Sequence, residues 1–110
     1  MSDDLDKSLL LARAAKARSE FIRWIVLLVA NMSRPAHLTL RTLLQVVQGE
    51  YQDATELEMR RELDYLESRD LLKVFTDTLG QVSVDLTRHG IDVAEYTVPV
   101  DPGIARPQKG

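Results

Sequence analysis

DATELEMRRELDYLESRDLLKVFTDTLGQVSVDL, residues Asp53–Leu86, is the stretch that decides the fold. Asp53 and Thr55 each carry a short side-chain oxygen that can accept from the free amides of a first helical turn. Thr55 with Glu58 fits a capping box, and Asp53 with Glu56 offers a second, slightly earlier start. Met59, Leu63 and Leu66 recur at i, i+4 and i+7, which sets them on one helical face toward a core. Ser68-Arg69-Asp70 is poor in apolar atoms, and Asp70 can take the left-handed conformation that ends a helix, though less readily than glycine. Beyond this stop, Val74 and Thr76 alternate with Lys73 and Phe75, and Val82, Val84 and Leu86 alternate with Ser83 and Asp85. Alternation of period two gives each strand one buried and one solvated face. Asp77-Thr78-Leu79-Gly80 supplies the turn between them, with Gly80 free to adopt positive φ.

Upstream, Thr39 can cap a second helix in which Leu40, Leu43, Leu44 and Val47 form an apolar stripe and Gly49 closes the end. Glu50-Tyr51-Gln52 is the short turn into the central helix, and Pro35-Ala36-His37-Leu38 is a linker. Helix, turn, helix and hairpin in this order is the grammar of a winged helix-turn-helix. The expected fold is mainly α with a small β-hairpin and a long N-terminal helix. That helix begins among Asp3, Asp4 and Asp6, whose charges favour the positive end of a helix dipole. Leu10, Ala14, Ala17, Phe21, Trp24 and Leu28 follow at 4-3-4-3-4 spacing, and Pro35 bars continuation past about Arg34. A helix from Asp4 to Met32 would be roughly 43 Å long. Its first half then projects or packs on another chain, although a break between Ala17 and Glu20 would also satisfy the pattern. Downstream, Thr87 can cap a short helix with Ile91 and Ala94, which Gly90 weakens. Val98–Gly110 holds three of the four prolines and is expected to be extended, its last residues ordered only if a partner holds them. The boundaries are therefore 1–20 for an N-terminal helical extension, 21–98 for the winged helix and 99–110 for the tail.

The length of 110 residues suits one compact domain, and 45% apolar with 28% charged residues is an ordinary globular balance. The absence of cysteine removes disulfides and thiolate metal sites and suits a reducing cytosol. The acidic N-terminus is unlike a secretory signal, and Ile25–Ala30 is far short of the ~20 residues that span a bilayer. No membrane role is expected. Residues 1–48 carry a net charge of +3 and residues 49–110 carry −6. Such a split bears on partners if the charges occupy different surfaces, and otherwise reflects two solvated faces.

The chemistry of catalysis is not visible. His37 and His89 are the only histidines, one in a linker and one beside a helix cap, without metal-ligand spacing. There is no phosphate loop and no nucleophile elbow, so no enzyme, metal or cofactor is expected. The central helix carries Glu56, Glu58, Glu62, Asp64, Glu67 and Asp70 against Arg60, Arg61 and Arg69, and carboxylates are repelled by a phosphate lattice. This favours a protein partner on an acidic face comprising Glu58, Arg61, Glu62, Asp64 and Tyr65. The heptad-like stripe favours a homodimer through Leu10, Ala14, Ala17 and Phe21. The alternative is a DNA-binding transcriptional regulator that contacts phosphates through Arg13, Lys16, Arg18, Arg23 and Arg41.

Arg61-Glu62-Leu63-Asp64-Tyr65-Leu66-Glu67, then Leu86-Thr87-Arg88-His89-Gly90-Ile91-Asp92-Val93-Ala94 and the tail Val98–Pro107, resembles the small winged-helix-like proteins of Mu-like transposable phages and prophages. The likeness spans roughly residues 20–107. It departs from the family pattern at Asp70, where a glycine stop is usual, and in its longer first helix. The resemblance implies a phage-encoded, non-enzymatic protein that works in the host bacterial cytoplasm on phage DNA or assembly. It transfers no functional residue.

Overall fold

A computed structural model describes residues 2–109, with side chains from Asp3 onward. The chain order is α1 (Ser2–Met32), β1 (Leu38–Thr39), α2 (Leu40–Glu50), α3 (Glu56–Ser68), β2 (Leu72–Thr76), β3 (Val82–Leu86) and α4 (Arg88–Ala94). The strands form one antiparallel sheet in the order β1-β3-β2. Leu38 lies opposite Val84, and Leu72 and Thr76 lie opposite Leu86 and Val82. This is a winged helix-turn-helix: the C-terminal half of α1, α2 and α3 enclose the core, and β2 with β3 makes the wing.

Local chemistry sets each boundary. Thr39, Thr55 and Thr87 cap α2, α3 and α4, each side-chain oxygen accepting from the amide three residues on, Thr42, Glu58 and Gly90 respectively. Thr55, not Asp53, therefore starts the central helix. At its far end Asp70 takes φ 59°, the Leu71 amide donates to the Leu66 carbonyl at 3.0 Å, and the Asp70 amide donates to that of Glu67 at 3.0 Å. These two bonds satisfy carbonyls that a helix end would leave open. In the wing turn Gly80 has φ 84°, and Asp77 Oδ1 accepts from the amides of Leu79 and Gln81 at 2.8 and 2.9 Å.

The buried face of α1 is Ile22, Trp24, Val26, Leu27 and Ala30. It meets Leu43 and Val47 of α2, Met59, Leu63 and Leu66 of α3, and Leu71, Leu72 and Val84 beside and within the sheet. Of the 4-3-4 stripe, Trp24 is buried and Phe21 packs edge-on against Tyr51, whereas Leu10, Ala14, Ala17 and Leu28 are exposed. The helix is continuous through Ala17–Glu20, and its first half projects from the body.

Three expectations need correction. The linker at 35–38 ends in a strand, because Leu38 is buried and pairs with the central strand β3. Gly49 does not close α2; the helix runs through Glu50, and the Tyr51 amide still donates to the Val47 carbonyl at 2.7 Å while its ring is held by Phe21. The tail is held by the body of the chain as far as Pro107, and Gly110 lies outside the described residues. Ile104 is buried, the Ala105 amide donates to the Glu20 carbonyl at 3.0 Å, and Arg106 Nη1 donates to the carbonyls of Val93 and Val98 at 3.0 and 2.9 Å. Tyr96 lies beneath the Arg106 guanidinium and donates its hydroxyl to the Pro107 carbonyl at 2.7 Å.

Candidate nucleic-acid interface

The spacing of side chains on α3 divides it into faces. Met59, Leu63 and Leu66 point into the core. Glu58, Glu62 and Tyr65 form a second stripe, and it faces α1. Arg18 donates from Nε and Nη2 to the two oxygens of Glu58, both at 2.8 Å, and from Nη1 to Asp53 Oδ1 at 2.8 Å. A planar guanidinium that grips one carboxylate through two bonds is a strong charge-assisted contact. The hydrogen bonds to both carboxylates raise the pKa of Arg18, and the bond from Arg18 holds Asp53 below the usual carboxylate range. Five residues further along α1, Arg23 donates Nε to Glu62 Oε1 at 2.8 Å and Nη1 to the Gly103 carbonyl at 2.9 Å. Its guanidinium sits 3.5 Å from the Tyr65 ring centroid.

This arrangement corrects two sequence-based expectations. Glu58, Glu62 and Tyr65 do not belong to an outward acidic face; Glu62 is only 5% exposed and all three are engaged by α1 or the tail. Only Arg61 and Asp64 of that group are exposed. Arg18 and Arg23 do not stand free for phosphates, because their guanidinium groups are paired within the chain with Glu58, Asp53 and Glu62. Arg13 and Lys16 are exposed on the projecting half of α1, and Arg41 is exposed at the start of α2. The structure therefore separates the five basic residues into three environments.

Intramolecular pairing also offsets part of the acidity that argued against nucleic acid. Besides Glu58 and Glu62, Asp64 lies 3.4 Å from Arg60, and Glu67 Oε2 accepts from the Val74 amide at 2.7 Å, tying α3 to the wing. The outward stripe of α3 is then Leu57, Arg61, Asp64 and Ser68, all exposed and at 4-3-4 spacing. Among the described residues no carboxylate pairs with Arg61 or Arg41. The side-chain types on this stripe match those that read base edges: arginine with guanine, aspartate with the cytosine amine, serine with either, and an apolar group with the thymine methyl.

The wing flanks the same region. An open cleft of about 460 Å³ separates the wing tip at Gly80–Val82 from Leu40, Arg41 and Leu44 of α2 and Glu56 of α3. At the tip Leu79 is 92% exposed, and Phe75 and Lys73 are exposed on β2. The two histidines lie apart from this face: His37 Nδ1 is 2.7 Å from Asp85 Oδ1, and His89 is exposed on α4. Among the described residues no group of three His, Asp or Glu could hold a metal ion, and no helix is long and apolar enough to cross a membrane. The pairing of α1 arginines with α3 carboxylates had a signal in sequence, the basic first half against an acidic i, i+4 pair at Glu58 and Glu62. The part played by Gly103 and Ile104 had none.

Solved structures share this fold. A candidate DNA-binding protein from Ralstonia eutropha JMP134 superposes with a TM-score of 0.55 at 21% identity, covering 71% of this chain and 93% of that one. MepR, a transcription regulator of the Staphylococcus aureus multidrug efflux pump MepA, superposes with a TM-score of 0.59 at 16% identity, covering 87% and 73%. A MepR variant from a multidrug-resistant clinical isolate gives 0.60 at 17% identity over 93% and 78%. No family model and no curated protein matches the chain. At these identities the likeness is one of fold.

Proposed function

We propose that this protein is a non-enzymatic DNA-binding regulator that lays the outward stripe of α3 in the major groove. The observation that supports this reading is the pairing along one side of α3: Arg18 and Arg23 occupy Glu58 and Glu62, leaving Leu57, Arg61, Asp64 and Ser68 outward. Arg41, at the head of α2 beside the cleft, supplies a phosphate contact that positions the helix without reading sequence. The structural neighbours support the same reading, since they are a transcription regulator and a candidate DNA-binding protein. The resemblance to proteins of Mu-like phages supports a phage setting, in which the DNA handled is the phage's own.

The test is a fluorescence-anisotropy titration with duplex DNA selected from a random pool. Arg61→Ala is expected to weaken the selected site by about 1–3 kcal/mol and to relax preference at one base pair. Arg41→Ala is expected to weaken all duplexes alike and to reduce the salt slope by about 0.9. A selected duplex bound equally well by Arg61→Ala and by the wild type would refute the docking.

A further inference from the structure

We infer that the projecting half of α1 pairs antiparallel with the same segment of a second copy of this chain. Residues 3–17 are exposed throughout, and at ~1.5 Å per residue the segment 2–17 reaches about 24 Å beyond the body. It carries Leu5, Leu9, Leu10 and Leu11 at 64, 50, 62 and 71% exposure, a concentration of apolar surface found on no other helix among the described residues. A helix of this length is marginal in water without tertiary contacts.

Charge identifies the occupant and its direction. The acidic residues Asp3, Asp4 and Asp6 lie at the tip, and Arg13 and Lys16 lie toward the base. Parallel pairing would set tip against tip, carboxylates on carboxylates. Antiparallel pairing sets each tip against the basic base of the other copy, twice by symmetry, so the segment is complementary to itself. The register follows from spacing. Asp6 and Arg13 are one heptad apart and share a face, with Leu9 and Leu10 between them. A two-fold axis between residues 9 and 10 makes Asp6 level with Arg13 of the second copy and Leu9 level with its Leu10. Ala14 and Ala17 border that face, and their small side chains let the two axes approach closely. Phe21, half-buried against Tyr51 of its own chain, lies outside the pairing.

The experiment is a charge swap on the full chain, read by sedimentation equilibrium with circular dichroism as a check on folding. Both residues are exposed and touch nothing in the body, so their variants should retain the fold. Wild type is expected to be a dimer at micromolar concentration. Asp6→Arg and Arg13→Asp should each weaken self-association about tenfold or more, because each variant sets like charges against each other at both ends. A 1:1 mixture of the two should recover the wild-type dimer, since each charge then meets its opposite. Leu10→Asp should abolish the dimer and should not be rescued by mixing. A wild-type monomer at high micromolar concentration would overturn the proposal. So would single variants that dimerise as well as wild type, or a mixture no tighter than its components.

Discussion

Glu62 is the buried charged side chain among the described residues, and its position explains much of the molecule. A carboxylate removed from water is stable only when paired and hydrogen-bonded, and Arg23 supplies that partner at 2.8 Å while also holding the tail through Gly103. Arg23→Ala should therefore cost about 3–5 kcal/mol in urea unfolding, because it strands Glu62. Gly90 is a second such position. A Cβ there would overlap the Leu71 carbonyl, which accepts from the Thr87 amide at 3.1 Å. Gly90→Ala should accordingly destabilise by about 1–3 kcal/mol, although alanine is the better helix former. Asp53 gives a pH dependence. Its pKa is depressed in the folded state by Arg18, so its contribution is present above the ordinary carboxylate value and is lost as pH falls through the lower folded value. Thermal unfolding from pH 7 down to pH 2 should show a steeper acid loss in wild type than in Asp53→Asn.

At the scale of elements, the three threonine caps and the stop of α3 were readable because they depend on neighbours in sequence. Thr39, Thr55 and Thr87 cap helices whose apolar spacing was plain, and Asp70 takes the positive φ expected of it. That conformation costs a non-glycine residue about 1 kcal/mol. Asp70 is exposed, and its contacts here are made by backbone atoms, the amide to Glu67 and the carbonyl to Thr87 Oγ1. Asp70→Gly should therefore raise the urea midpoint, by up to about 1 kcal/mol of stability, and unchanged or lower stability would contradict this account of the stop. The strand at Leu38–Thr39 was not legible, since two residues carry no alternation and their pairing with β3 joins positions over 40 apart. The acidity of α3 was legible as composition and misleading as surface. Which side of a helix meets which neighbour is set by tertiary packing, and α1 turned out to cover the stripe at Glu58, Glu62 and Tyr65.

For the whole molecule, part of the division of charge between the two halves of the sequence is internal: Arg18 and Arg23 from the first half meet Asp53, Glu58 and Glu62 from the second. The proline-rich tail closes the far side of the same assembly, through Ile104, Ala105 and Arg106. Removal of residues 99–110 should lower the melting temperature measured by circular dichroism, because it takes buried Ile104 out of the core and deprives Arg23 of the Gly103 carbonyl. The claim on which the functional reading depends is that α3, despite six carboxylates in or beside it, presents a surface that DNA accepts. The most direct measurement is the affinity for a selected duplex over a series of salt concentrations, for wild type and Arg61→Glu. Binding that falls linearly with the logarithm of salt, and that Arg61→Glu abolishes in a chain still folded, is the expected result. No complex with any duplex at low salt, or a complex indifferent to Arg61→Glu, would contradict it.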